Sequence, residues 1–215
     1  MHFDDFRAKQ ELCRLCGEII PPIEHPSELF QLPSLICKTC ETALPTRLQT
    51  FVFEDCAALA LYAYQEPLIG IIYRYKALGD RLIANALMST FHYDLKDFIG
   101  FRSIVLAPSS SHHQTQLGFH PLQQLFQRFH RPLIEPFYKK DNWKQTDHNA
   151  HERLQVGQHI GWLPTVECLY DIVLVDDIFT TGSTLKACVK LLRHHHPGIR
   201  IRIVVLARVL SYEKR

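Results

Sequence analysis

The sequence predicts an α/β fold, a mainly parallel sheet flanked by helices, preceded by a small cysteine-rich module. Three observations predict it. The run Asp171-Ile172-Val173-Leu174-Val175 is unbroken and β-branched, as a central strand covered on both faces requires. It passes through a hydroxyl-rich turn into a helical pattern that begins at Leu185, and strand, loop, helix is the unit from which open α/β sheets are built. Four of the seven cysteines fall in two Cys-x-x-Cys pairs near the N-terminus.

Length and composition narrow the class. At 215 residues with 47% hydrophobic composition, the chain suits one medium domain plus something small, with ample material for a core. The start, Met1-His2-Phe3-Asp4-Asp5-Phe6, lacks the basic and apolar regions of a signal peptide, and no apolar run approaches a membrane span. The expectation is a soluble, cytoplasmic protein. A net charge of +2 is too small to demand nucleic acid. The charge is nonetheless uneven: between Arg102 and Arg153 seven Lys/Arg stand against four Asp/Glu, with six histidines besides.

Residues 1–50 read as a separate module, with 51–215 as the main domain. A segment this short cannot bury a sizeable core, so a cross-link must replace one. Cys13-Arg14-Leu15-Cys16 and Cys37-Lys38-Thr39-Cys40 each present two thiolates from a tight turn, and the Pro-rich stretch between them (Pro21, Pro22, Pro26, Pro33) allows a hairpin-like excursion that brings all four to one Zn²⁺. The expected site is structural and zinc-ribbon-like, with no open ligand position. A redox Cys-x-x-Cys would leave the second pair unexplained. Cys56, Cys168 and Cys188 lie in apolar stretches and read as core.

From Phe51 to Tyr64 the chain predicts a strand or two, Phe51-Val52-Phe53 and Leu59 to Tyr64. Glu66 to Lys76 and Arg81 to Phe91 have helical spacing and meet at Gly79, with Pro67 in the first turn. Ser103-Ile104-Val105-Leu106-Ala107 is a second core strand, ending at Pro108-Ser109-Ser110-Ser111-His112-His113. Those serines suit a phosphate loop and suit an ordinary solvated turn equally well. His120 to His130 is helical through Leu122, Leu125, Phe126 and Phe129, and a short strand is expected within Pro132 to Tyr138.

Lys139 to Gln158 is polar and without period, a long loop carrying Lys139, Lys140, Trp143, Lys144, His148, His151 and Arg153. Cations mixed with an aromatic let a groove follow a nucleic-acid backbone while a base stacks, and a solvated loop with Trp143 packed down reads equally well. Leu185 to His196 is an amphipathic helix stopped by Pro197-Gly198, and Arg200 to Val209 is the last strand. The dipole of a helix C-terminus accounts for His194-His195-His196, and Lys76 near the end of its own helix has the same explanation.

The loop after the 171–175 run is where ligands of open sheets gather. Thr180, Thr181, Ser183 and Thr184 offer hydroxyls, Gly182 lets the backbone turn closely, and the N–H groups opening the next helix are unpaired. This is a phosphate cradle without the glycine spacing of a Walker A loop. Asp176 and Asp177 would repel a phosphate but can accept hydrogen bonds from a vicinal diol or hold hydrated Mg²⁺. Diol and phosphate together describe a ribose 5-phosphate.

At these residues the chain resembles the 5-phosphoribosyl-1-pyrophosphate (PRPP) loop of type I phosphoribosyltransferases: hydrophobic strand, two acids, two hydrophobic residues, Thr-Thr-Gly-Ser-Thr. The resemblance implies that Asp176 and Asp177 face the ribose hydroxyls, that Thr180, Thr181, Gly182, Ser183 and Thr184 wrap the 5-phosphate, and that Ser109, Ser110 and Ser111 form the pyrophosphate loop. Together with the N-terminal cysteines, Tyr75-Lys76 and Gly79-Asp80, it extends over essentially the whole chain to the ComF family. That resemblance implies a type I phosphoribosyltransferase-like sheet and a part in natural transformation, handling incoming single-stranded DNA in the cytoplasm. Lys76, Lys139, Lys140, Lys144 and Arg153 are the cations expected to contact nucleic acid or pyrophosphate. Two departures stand out. Leu117-Gly118-Phe119-His120 replaces the family's usual Arg-Gly-Phe-Asn, losing a cation and an amide, and the Asn often found shortly after the equivalent of Arg153 is missing. The alternative is an active Mg²⁺-dependent phosphoribosyltransferase of unknown acceptor, in which Mg²⁺ chelates the pyrophosphate.

Overall fold

The computed structural model of the chain describes residues 11–21, 35–109, 115, 117–139, 160–163 and 169–210. In chain order they form α1 (Lys38–Ala43), β1 (Thr46–Phe53), β2 (Cys56–Ala63), α2 (Leu68–Ala77), α3 (Leu82–Ser89), α4 (His92–Ile99), β3 (Ser103–Leu106), α5 (Pro121–Phe126), β4 (Leu133–Ile134), β5 (Phe137–Lys139), β6 (Ile160–Trp162), β7 (Asp171–Phe179), α6 (Ser183–His195) and β8 (Arg200–Arg208). Six strands make one sheet in the order β1-β2-β8-β7-β3-β4. Within that sheet only β1 runs against its neighbour; β2, β8, β7, β3 and β4 are mutually parallel. The α/β class therefore holds, with β7 and β8 at the centre. No helix among the described residues is long and apolar enough to cross a membrane.

Alternation along the central strands divides the core in two. Val173 and Val175 of β7 point to one face with Leu59, Leu61, Val204 and Leu206. Ile172 and Leu174 point to the other with Ala58, Ala60, Ile203 and Val205. Period-2 burial on both faces is why the run carries no polar alternation. The first face is covered by α2 to α5 and by the cysteine module, since Cys13, Leu15, Ile36, Cys37 and Leu44 belong to the same core as Leu68 and Tyr75. The second is covered by α6 through Leu185, Cys188, Val189 and Leu192, and by the ribbon of β5 and β6. Cys56 and Cys188 are buried as expected. Cys168 lies outside the described residues.

Several boundaries differ from the sequence reading, each for a physical reason. The strand expected at Phe51 begins at Thr46 and forms a hairpin with β2, closed by Glu54 and Asp55, both at positive φ. A helix not anticipated, α4, follows α3 at once and buries Leu95 and Ile99, a four-residue spacing too brief to separate from its neighbour by period alone. The helix expected over 120–130 ends at Phe126, runs three residues as a 3₁₀ turn and stops at left-handed His130. Pro132 follows and disfavours helical backbone before it. The expected 132–138 strand is two strands, one on the main sheet and one pairing antiparallel with β6. The Tyr138 ring lies directly over Gly161 of β6, in the space that a Cβ there would occupy.

Candidate functional site

The site is built where the parallel strands end. β7 does not stop at the carboxylates: Asp176 pairs with Val205, Ile178 with Ala207 and Phe179 with Arg208. Strand geometry therefore sends the side chains of Asp176 and Asp177 in opposite directions. Asp176 Oδ1 accepts the Asp177 N–H at 2.9 Å, and Asp177 Oδ1 accepts the Ile178 N–H at 2.6 Å. Lys76, in the last turn of α2, forms an ion pair with Asp177. So Lys76 serves the site by holding an acid, a role beyond the dipole account. Burial, with the Asp177 charge adding to it, pushes Asp176 up to about 7, while Lys76 and Lys139 oppose the shift. Lys139, at the end of β5, is thus brought within electrostatic reach of Asp176.

The turn that follows is fixed by Gly182. Its φ is +75°, and a Cβ there would lie 2.6 Å from Phe53 Cζ and 2.9 Å from Phe179 Cε2. Neither ring carries a motif, and β1 lies three strands from β7 in the sheet, so Phe53 reaches the loop by a contact that strand order does not announce. Phe53 and Phe179 meet edge to face at 5.0 Å, and the Arg208 guanidinium lies over Phe51 at 4.1 Å. Thr180 and Thr181 are exposed, while Ser183 and Thr184 form the first turn of α6. The helix therefore begins two residues before Leu185, and its opening N–H groups belong to the loop itself. Thr181 Oγ1 accepts the Ser183 N–H at 3.4 Å and faces Ser183 Oγ at 3.3 Å. Hydroxyls, the N–H groups that open α6 and a close-turning glycine make this end of the sheet fit for an anion, with two carboxylates beside it for hydroxyl groups.

The end of β3 adds the third side. Ala107 N–H donates to Val175 O at 2.9 Å, so Ser109 follows next to the β7 end. Ser109 Oγ and His120 Nε2 are 3.4 Å apart, and His120 also caps α5 by accepting the Gln123 N–H. Burial lowers the His120 pKa, although Glu135 at 3.7 Å pulls the other way. The Leu117 to His120 turn is clamped from α2 and its exit: Arg81 donates to Gly118 O at 2.7 Å and Tyr75 Oη to Pro121 O at 2.6 Å. Sequence reasoning singles out the departure at His120 but not its bond to Ser109, for which no local signal exists. Ser110, Ser111, Lys140, Trp143, Lys144, His148, His151 and Arg153 lie outside the described residues.

In the cysteine module the Sγ atoms of Cys13, Cys16, Cys37 and Cys40 all lie within 4.8 Å of one another, a set that can hold one metal ion. Cys16 Sγ and Cys37 Sγ are 3.7 Å apart, close to the edge of a tetrahedron with bonds of about 2.3 Å. The first pair sits in a tight turn in which Gly17 N–H donates to Cys13 O, and the second opens α1 with Cys37 at its N-cap. The module is tied to the sheet domain by Arg74, which donates to Leu15 O at 2.7 Å and pairs with Asp80 at 2.9 Å. Of the histidine tract, His195 stacks on Trp162 at 4.5 Å and His196 Nδ1 accepts the Leu169 N–H.

Comparison with known proteins bears on the same residues. Residues 170–215 match a family described as phosphoribosyl transferase domain. The chain is 24% identical over 192 residues to competence protein ComFC of Bacillus subtilis, covering 84% of this chain and 73% of that protein. It is equally 24% identical, over 205 residues, to competence protein ComFC of Streptococcus pneumoniae, covering 84% of this chain and 92% of that one. Among solved structures, adenine phosphoribosyltransferase of Saccharomyces cerevisiae is similar at 11% identity and TM-score 0.40, over 80% of this chain and 87% of that chain. Orotate phosphoribosyltransferase of Aeropyrum pernix is similar at 18% and 0.32, over 79% and 78%. The chain is thus similar over most of its length to the ComFC competence proteins, and the segment that matches the phosphoribosyl transferase domain, residues 170–215, carries the acidic strand end and the hydroxyl loop.

Proposed function

We propose that this protein acts in natural transformation, handling incoming single-stranded DNA in the cytoplasm, and that its β7–α6 loop binds PRPP or a related phosphoribosyl ligand. The observation that carries the ligand reading is the placement of Gly182 and the α6 N-terminus directly beyond Asp176 and Asp177. A 5-phosphate in the turn leaves the ribose hydroxyls toward the carboxylates, and Mg²⁺ arrives on the pyrophosphate. Lys76 holds the Asp177 side chain in place through their ion pair; its ammonium is available to the pyrophosphate once a diol takes over the carboxylate. The transformation role is supported by the two ComFC relatives. Zinc in the four-cysteine site supplies cohesion, with the thiolates of Cys13, Cys16, Cys37 and Cys40 holding the module against α2.

Calorimetric titration of PRPP with Mg²⁺ tests the ligand reading. Saturable binding that Asp176→Asn/Asp177→Asn weakens by a factor of ten or more is expected, at about 1.4 kcal/mol per tenfold; no heat from the zinc-loaded protein would refute it. Anisotropy of a labelled oligothymidylate tests the DNA role separately.

A further inference from the structure

A second cleft lies at the opposite end of the sheet. It has a volume of about 250 Å³, and its lining includes His92, Lys96, Arg128, Phe129, His130 and Arg131. Gly100, also in the lining, precedes β3, and Arg131 precedes β4. The cleft therefore sits at the amino ends of the two outer parallel strands, whereas Ser109 and Asp177 stand at carboxyl ends. Among the described residues no carboxylate lines it. Asp94 and Asp97 are exposed on α4 without entering the lining, and Lys96, His130 and Arg131 have no carboxylate partner among the described residues. Arg128 is held in place by donating to Asn85 O at 3.1 Å, and the His92 ring stacks on Phe129 at 5.8 Å.

Beside the cations stands an aromatic that packing does not explain. Phe101 is 93% exposed, with the Arg131 guanidinium 4.9 Å from its ring centre. Tyr93, 61% exposed, projects from the start of α4. A fully hydrated Phe ring gains nothing for the fold, and one guanidinium occupies a single face of it. Acid-free cations around a cleft, with a bare π-face at its rim, are the elements from which single-strand sites are made: charge tracks the backbone and a base stacks. The volume is below the roughly 300–1,000 Å³ usual for small-molecule sites, which suits a phosphodiester group continuing beyond the cleft.

We infer that this cleft is a second anion site, which takes the phosphodiester backbone of single-stranded nucleic acid between Lys96, Arg128 and Arg131 and stacks a base on Phe101. It rests on the DNA-handling role proposed above and adds that DNA and the phosphoribosyl ligand occupy opposite poles of the sheet. Binding of a labelled oligothymidylate to the zinc-loaded full chain, followed by anisotropy across a salt series, tests it. Lys96→Glu/Arg131→Glu is expected to weaken binding at least about tenfold and to flatten the log–log salt slope by roughly 1.4, at about 0.7 for each phosphate no longer neutralised. Phe101→Ala is expected to weaken it by about fivefold or more with the slope unchanged. All three side chains are solvent-accessible, so unchanged melting temperature and zinc content certify the fold. Wild-type affinity in both variants would overturn the cleft while leaving DNA handling intact. No binding by the wild type would overturn both, and binding to anionic vesicles in its place would reassign the surface to lipid.

Discussion

The two ends of the sheet are opposites in charge and in how the chain builds them. At the carboxyl end, one contiguous stretch, Asp176 to Thr184, supplies acids, hydroxyls and helix N–H groups, and Lys76 crosses from α2 to hold one acid. At the amino end, cations and an exposed ring come from three separated segments: α4, the turn at Phe101, and residues 128–131. The difference teaches where specificity can reside. A closed turn around a fixed glycine selects a compact ligand of one shape, while an open basic cleft with a stacking ring takes a repeating polymer with little regard to sequence.

The largest perturbation should strike the two ends unequally. Removing zinc by chelation, or Cys37→Ser, withdraws the cross-link of a module that shares its core with α2. Structural zinc sites hold on the order of 10 kcal/mol of binding free energy in small modules. Calorimetric melting should fall by many degrees. PRPP affinity should fall more than DNA affinity, because Arg74 and Lys76 both sit on α2. Equal losses would break the asymmetry.

Gly182→Ala should act on one end alone. A Cβ at φ +75° wedged against Phe53 and Phe179 costs about 2–4 kcal/mol from backbone strain and overpacking together. Denaturant unfolding reads the loss, PRPP binding should vanish, and oligothymidylate binding should remain.

Asp176→Asn should sharpen the contrast through pH. Because burial raises the folded pKa to about 7 from an unfolded value near 4, the folded chain binds the proton more tightly. Its stability contribution is then greatest at low pH and lost as pH rises through that window. The Asn variant lacks this penalty, so at pH 8 it should be more stable than wild type by about 1–3 kcal/mol, with the advantage gone near pH 4. Ligand-free melting across pH measures it, read as the difference between the two proteins. A variant that gains stability while losing PRPP affinity would mark Asp176 as held for a ligand and not for the fold.

The smallest effect is expected from Tyr75→Phe, which removes the buried bond to Pro121 O. About 1 kcal/mol should be lost, visible as a lowered unfolding midpoint, with both ligand affinities nearly unchanged.

The same contrast explains what can be read in advance. β7, its acids, the hydroxyl turn and the cysteine pairs are each local: a period-2 run buried on both faces, a short spacing, a glycine between hydroxyls. Their chemistry is legible because the groups that cooperate are neighbours in the chain. The partners that complete them are not. Phe53 meets Gly182 although β1 lies three strands from β7, and His120 reaches Ser109 only because the turn before α5 folds back over the end of β3. The amino-end cleft is invisible in the sequence for the same reason. Lys96, Phe101 and Arg131 have no shared spacing, and α4, which carries Lys96, has no boundary of its own between α3 and β3. Local helical period cannot divide short consecutive helices, and charge counts over 102–153 give an excess without a place.

The separation of the two poles is tested most directly by titrating PRPP with Mg²⁺ into the zinc-loaded protein, free and then saturated with oligothymidylate, while anisotropy reports the DNA. The account predicts the same PRPP affinity in both titrations and DNA that stays bound throughout. Displacement of the oligonucleotide by PRPP would contradict it and bring both ligands to the Asp176–Thr184 end.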